Sequence, residues 1–266
     1  MHTEPAMPPI STRQHWIDTR HGQLFAQCWS HGQEQLPPIV LLHDSLGCVA
    51  LWRYFPLCLA QASGRRVIAY DRLGFGRSAA RSGLPAATFI ADEAHGDFQV
   101  VCQALGVERF VVFGHSVGGG MAVGCAGAYP RQCMGLVTES AQAFVEQRTL
   151  DGIRQAQRQF AEPGQLPRLH KYHGDKAAWV LRAWTDTWLD PAFGQWTLDA
   201  QLAQVRCPLL VLHGDHDEYG SLAQPERIAA RAAVVAQVQV FAECGHVPHR
   251  QYPQAVLEQV GGFLAA

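Results

Sequence analysis

No stretch of the 266-residue chain is long and apolar enough to cross a bilayer, so a membrane-spanning segment is not expected. Residues 1–14 are polar and contain proline, without a basic segment followed by an apolar one; a secretory signal is likewise not expected. Neither sign of charge dominates. The formal net charge is −2 with only 17% charged residues and no long run of either sign, which argues against nucleic acid or a membrane surface as partner. A G-x-G-x-x-G stretch with a following acidic residue is missing, so no nucleotide cofactor is indicated, and none of another kind is. The C-x-x-C pair is missing too. The eight cysteines, at 28, 48, 58, 102, 125, 133, 207 and 244, are scattered through expected strands and helices. They read as reduced, buried thiols of a cytoplasmic protein. Internal repeats and low-complexity tracts are also lacking.

What is present is apolar and rhythmic. Nearly half the residues (48%) are hydrophobic, which suits a well-buried core. Residues 14–19 and 24–29 read as a β-hairpin around Arg20-His21-Gly22-Gln23. Apolar runs at 39–43 and 67–70 read as strands buried on both faces, and 110–113, 134–138, 208–212 and 238–241 read as further strands. Helical spacing occupies 51–62, 88–105 (closed by Gly106), 118–129 (stopped by Pro130) and 253–264. Strands alternating with helices after an opening hairpin imply a mostly parallel α/β sheet covered on both faces. Between 141 and 205 the rhythm changes to helices and turns carrying Trp179, Trp184, Trp188 and Trp196. The expected organisation is a core of 1–140 and 206–266 with a helical cap, 141–205, over the strands' C-terminal ends, where open α/β sheets place ligands. The cap tryptophans read first as packing residues.

The chemistry-bearing signal is Gly114-His115-Ser116-Val117-Gly118, a G-x-S-x-G between a buried strand and a helix. A nucleophile on so sharp a turn needs flanking positions with almost no side chain. The same turn places the amide of Val117 at a helix N-terminus, aimed at an oxygen on the attacked carbon. A serine hydroxyl needs a base. Of thirteen histidines, His246 follows the last expected strand within Glu243-Cys244-Gly245-His246-Val247-Pro248-His249, at the same sheet edge as Ser116. His249 is the competitor. The base needs a carboxylate, and the loop His213-Gly214-Asp215-His216-Asp217-Glu218 offers three. Asp217 lies far enough into the loop to reach across; Asp215 is expected to cap its own turn. The order Ser, Asp, His suits this architecture. His213, Asp215, His216 and Asp217, or His246 with His249, also offer metal-ligand types, but no further cluster completes a closed site, and no metal is expected.

The chain resembles the α/β-hydrolases from about Trp16 to Leu264. The resemblance is carried by Leu42-His43-Asp44-Ser45-Leu46-Gly47, Asp71-Arg72-Leu73-Gly74-Phe75-Gly76-Arg77-Ser78, the 114–119 elbow, 214–217 and Gly245-His246. It implies the α/β-hydrolase fold, with an eight-stranded, mostly parallel sheet that starts antiparallel. It also implies a triad of Ser116, Asp217 and His246, with the amide of Ser45 joining that of Val117 as oxyanion hole. One departure is His43-Asp44, where the family usually has His-Gly; aspartate tolerates left-handed backbone, so the loop is expected to form. Asp44 to Gly47 is similar to the loop of 3-oxoadipate enol-lactonases, which implies a small lactone or enol ester. The glycines of 71–78 read as structural, with Asp71 and Arg72 holding neighbouring loops. The expected activity is hydrolysis of a small ester, thioester or lactone. Cofactor-free C–C bond cleavage with the same triad, and a non-catalytic small-molecule binding protein, remain open alternatives. The expected partner is a small-molecule substrate; self-association into a homo-oligomer is left open.

Overall fold

In the computed structural model, which describes residues 9–32 and 35–265, eight strands run in chain order. They are β1 (Ser11–Thr19), β2 (Gly22–Ser30), β3 (Ile39–Leu42), β4 (Val67–Tyr70), β5 (Phe110–His115), β6 (Cys133–Glu139), β7 (Leu209–Gly214) and β8 (Ala236–Phe241). Most of the N-terminal stretch weighed for a signal, residues 1–8, lies outside the described residues. The helices are α1 (Phe55–Ser63), α2 (Phe89–Asp92), α3 (Asp97–Ala104), α4 (Val117–Ala128), α5 (Gln147–Ala161), α6 (Leu166–His173), α7 (Ala177–Trp188), α8 (Asp199–Leu202), α9 (Ala223–Arg231), α10 (Pro248–Gln251) and α11 (Pro253–Ala265).

The sheet order is β1-β2-β4-β3-β5-β6-β7-β8, antiparallel from β1 to β4 and parallel from there on. The α/β-hydrolase fold expected from the sequence is the fold found. Period-2 alternation sends Val40, Leu42 and Val112 to the face under α4, and Leu41, Val111 and Phe113 to the face covered by α1 and α11. Each such side chain contributes about 1.5–3 kcal/mol on full burial. Between β6 and β7 the described chain forms the helices α5 to α8, with one isolated bridge, Phe144 to Thr197. Among the described residues no helix is long and apolar enough to cross a membrane.

Two expectations on local structure need correction. The long helix read over 88–105 is broken into α2, a short 3-10 turn and α3, with Gly96 at the break. Its apolar spacing continues across the break, which is why periodicity alone missed it. Helix α9 was not anticipated, because Ile228 is its one large aliphatic side chain and its buried face otherwise carries Gln224 and Pro225, which give little apolar stripe.

At that break Glu93 is buried (8% exposed) and accepts a short hydrogen bond from the Tyr70 hydroxyl. Burial first, and the neighbouring Asp97 second, push its carboxyl from 4.5 up to about 8. The folded value lies above the unfolded one, so the stabilisation is complete below about 4.5 and is lost as pH rises through about 8. Asp71, raised to about 6 by burial, acts in the same sense. The melting temperature is therefore expected to fall between pH 5 and 9, and Glu93→Gln to flatten that slope. A wild-type melting temperature that stays level across this window in a thermal scan contradicts the assignment.

Candidate active site

The elbow is built by exclusion. At Gly114 a Cβ would stand 2.0 Å from the carbonyl oxygen of Gly118, and at Gly118 one would stand 2.2 Å from that of Leu42. No side chain fits at either position, so α4 can start directly against β5 and β3. Ser116, between them, takes φ 57° and ψ −126°, a left-handed conformation that serine seldom adopts. Its amide is anchored by donating to Glu139 O at 2.8 Å. Such strain persists only where the surroundings over-determine it.

Asp217 and His246 are brought together. Nδ1 of His246 lies 2.8 Å from Asp217 Oδ2 and 2.9 Å from Oδ1. Asp217 Oδ1 also accepts from the amides of Tyr219 (2.8 Å) and Gly220 (3.2 Å). Burial pushes this carboxyl up, but the charge and hydrogen bond of His246, helped by His213, hold it below its ordinary range. It stands as a carboxylate that fixes the ring's Nδ1–H and leaves Nε2 free. Ser116 and His246 line one cavity of about 250 Å³, with Ser45, Thr149, Trp184 and Trp188 among its other walls. No direct hydrogen bond joins the Ser116 hydroxyl to His246; contacts of this kind often tighten only around substrate. The amides of Ser45 and Val117, the expected oxyanion donors, give no hydrogen bond to another described residue.

The loop bearing Ser45 departs from expectation in an informative way. Asp44 does not use the left-handed conformation that its residue type tolerates. Its side chain does the work: Oδ1 accepts from the Leu46 amide at 2.8 Å, and Oδ2 lies 3.3 Å from His115 Nδ1. Arg72 supports the loop from below, donating from Nη2 to Asp44 O at 2.8 Å. Asp71 accepts from Val49 N (2.6 Å) and Arg77 N (2.7 Å), so the 71–78 turn is structural, as read from sequence.

Asp215 does not cap its own turn. It reaches the neighbouring loop, accepting from Cys244 N at 3.3 Å. His249, the rival base, is buried with Nδ1 on Glu139 Oε2 at 2.5 Å and its own amide on Oε1 at 2.7 Å. His213, Asp215, His216 and Asp217 do not converge, since His216 is exposed and His213 turns its Nε2 to Gly220 O at 3.1 Å. Among the described residues, the metal-capable side chains that do converge are His115, Glu139 and His249, with ligand atoms within 4.8 Å. His115 is engaged by His246 O and Asp44, and Glu139 accepts from the amide and Nδ1 of His249, which leaves His249 Nε2 buried without a partner; we read the group as two neighbouring polar pairs, not as a metal cage. His115 and Glu139 escaped the sequence reading, although His115 stands inside the elbow motif itself.

The tryptophans divide. Trp196 stacks on Phe193 at 5.3 Å, and Trp179 packs edge-on against Phe75 at 5.5 Å. Trp184 and Trp188 face the cavity, and both also wall a smaller neighbouring cleft that contains Arg72 and Arg81.

A model of the alpha/beta hydrolase fold family matches residues 37–251. The chain is 29% identical over 253 residues to 2-hydroxymuconate semialdehyde hydrolase of Pseudomonas sp. (strain CF600), covering 86% of this chain and 87% of that protein. It is 33% identical over 121 residues to epoxide hydrolase B of Mycobacterium tuberculosis, covering 46% of this chain and 33% of that one. A solved naproxen esterase from Bacillus subtilis superposes with a TM-score of 0.69 at 22% identity, over 97% of this chain and 93% of its own, a likeness of fold alone. With the family pattern matched from β3 to α10 and the sheet order realised in space, the chain belongs to the alpha/beta-hydrolase fold family.

Proposed function

We propose that the protein is a serine hydrolase that cleaves a small ester, thioester or lactone through an acyl-enzyme on Ser116. The observation that carries this reading is the His246 ring, held through Nδ1 by a buried carboxylate while it shares a cavity with a strained serine. Ser116 Oγ attacks the carbonyl carbon as His246 Nε2 takes its proton. The oxyanion forms between the amides of Ser45 and Val117, where losing one donor costs roughly 3–4 kcal/mol. The imidazolium then protonates the leaving group. A water, activated by the same ring, releases the acid and restores Ser116. Eight unpaired cysteines, seven of them buried, suit a reducing compartment, and we place the protein in the cytoplasm.

The walls favour an uncharged substrate. Glu218 lines the main cavity, Asp44 does so facing His115, and no lysine or arginine lines it among the described residues, so the wall's unbalanced charge is negative. An anionic group there meets like charge, which costs several kcal/mol when desolvated. Neutral p-nitrophenyl esters are expected to exceed carboxylate-bearing analogues of the same length by about tenfold or more in kcat/KM. Equal rates, or a preference for the anion, contradict this.

A second reading, cofactor-free C–C bond hydrolysis with the same three residues, draws on the similarity to 2-hydroxymuconate semialdehyde hydrolase. Parallel assays with esters and with vinylogous diketones separate the two. Fast diketone cleavage with negligible ester turnover decides for the second.

A further inference from the structure

In the cavity wall and behind it, five titratable side chains from separate elements lie close together. Asp44 follows β3, His115 ends β5, Glu139 ends β6, His246 follows β8 and His249 lies in α10. His115 is at the centre and 2% exposed. Its Nε2 donates to the carbonyl oxygen of His246 at 2.7 Å. A carbonyl only accepts, so that nitrogen carries a proton. Its Nδ1 faces the Asp44 carboxylate at 3.3 Å. A neutral ring would turn a lone pair toward that anion. A doubly protonated ring sets positive charge at ion-pair distance from it, so the contact points to the imidazolium.

The electrostatics agree from both ends. Burial opposes the charge on His115, but the Asp44 bond and the nearby Glu139 raise its pKa above 6.5. Against the upward push of burial, His115 and then His43 hold the Asp44 carboxyl well below its usual range. Against the upward push of burial, Glu139 is held low by His249, whose amide and Nδ1 both donate to it, and by His115, while burial keeps the His249 ring itself from charging. The rings of His246 and His249 each lie 5.1 Å from that of His115.

The placement gives the pair a purpose. Asp44 immediately precedes Ser45, His115 immediately precedes Ser116, and the carbonyl that His115 holds belongs to His246 itself. We propose that the Asp44–His115 ion pair is a positioning device for acyl transfer. One buried imidazolium, wedged among three loops, sets where the oxyanion amide, the attacking hydroxyl and the base stand relative to one another. This rests on the acyl-transfer reading of Ser116. Asp44, which replaces the more usual glycine, thereby has a role that glycine could not fill. Because the three groups act together only as charge moves, loosening the pair should weaken the transition state more than substrate binding.

The test is a set of three variants, Asp44→Asn, His115→Gln and the double variant, assayed per active site titrated with a fluorophosphonate. Each single change should lower kcat roughly 10- to 100-fold, the loss that a misplacement near 1 Å brings, with KM moving less than about threefold. The double variant should be no slower than the worse single one, because both break the same pair. A substrate-free measurement accompanies it. In ¹⁵N spectra of the wild type at pH 7.5, both ring nitrogens of His115 should carry protons, and Asp44→Asn should convert the ring to its neutral form. Retained kcat in the single variants, losses that multiply in the double, or a neutral His115 in the wild type each overturn the proposal. If the variants fold poorly, the wild-type spectrum decides alone. That spectrum needs no substrate, so its failure is distinguishable from failure of the acyl-enzyme reading.

Discussion

Replacing Ser116 by alanine is expected to lower ester turnover by at least roughly 10,000-fold while leaving the fold intact. The nucleophile leaves, but the Cβ and the strained φ of 57° remain, so the elbow carries the same backbone load as before. The two glycines that make room for it are untouched, and so is the amide that donates to Glu139 O at 2.8 Å. Residual catalysis should come from the oxyanion amides and cavity binding alone. Burst kinetics with a p-nitrophenyl ester, set beside a thermal melt, checks both halves of the expectation. Near-wild-type turnover in a folded variant would remove Ser116 from the reaction.

Asp217→Asn is expected to cost about as much, roughly 10,000-fold in kcat, through a tautomer and not through lost charge alone. Oδ1 of Asp217 is committed to the amides of Tyr219 and Gly220. An asparagine keeps its carbonyl oxygen on those two donors and is left presenting its NH₂ to His246 Nδ1. That nitrogen must then accept, which moves the ring proton to Nε2, the atom that has to take the proton from Ser116. The ring would be in place and wrongly protonated. Substrate binding should change little, so the loss belongs in kcat with KM nearly constant. An Asp217→Asn variant that loses KM instead, with kcat preserved, would falsify the assignment of this carboxylate.

The partners were legible to very different degrees. Ser116 was legible because the steric demand of the elbow is written as glycines two residues to either side, and the strand and helix around it have clear periodicities. Asp217 and His246 were chosen among neighbours by their place in loops after strands, and the Nδ1 contact of 2.8 Å joins these two. Asp215 was misjudged because its partner, Cys244 N, is 29 residues away in sequence and invisible to turn chemistry. Asp44 was misjudged for a related reason. Its backbone tolerance was a local property, whereas its actual use is a side-chain contact with a residue brought in by a different strand. The break at Gly96 went unseen because apolar spacing runs through it, and what it accomplishes, turning Glu93 to Tyr70, is tertiary.

Sequence alone determined the sheet class, the sharp turn at Ser116 and the order of the chemical residues, because hydrophobic period, glycine placement and loop position are local signals that act over a few residues. Only the folded chain decided that His249 is bound to Glu139, that Asp44 and His115 meet, and that the main cavity's walls carry carboxylates but, among the described residues, no lysine or arginine. Those outcomes depend on side chains from strands that are distant in sequence and adjacent in the sheet. Burial then fixes which of them can hold a charge, and no local pattern encodes that.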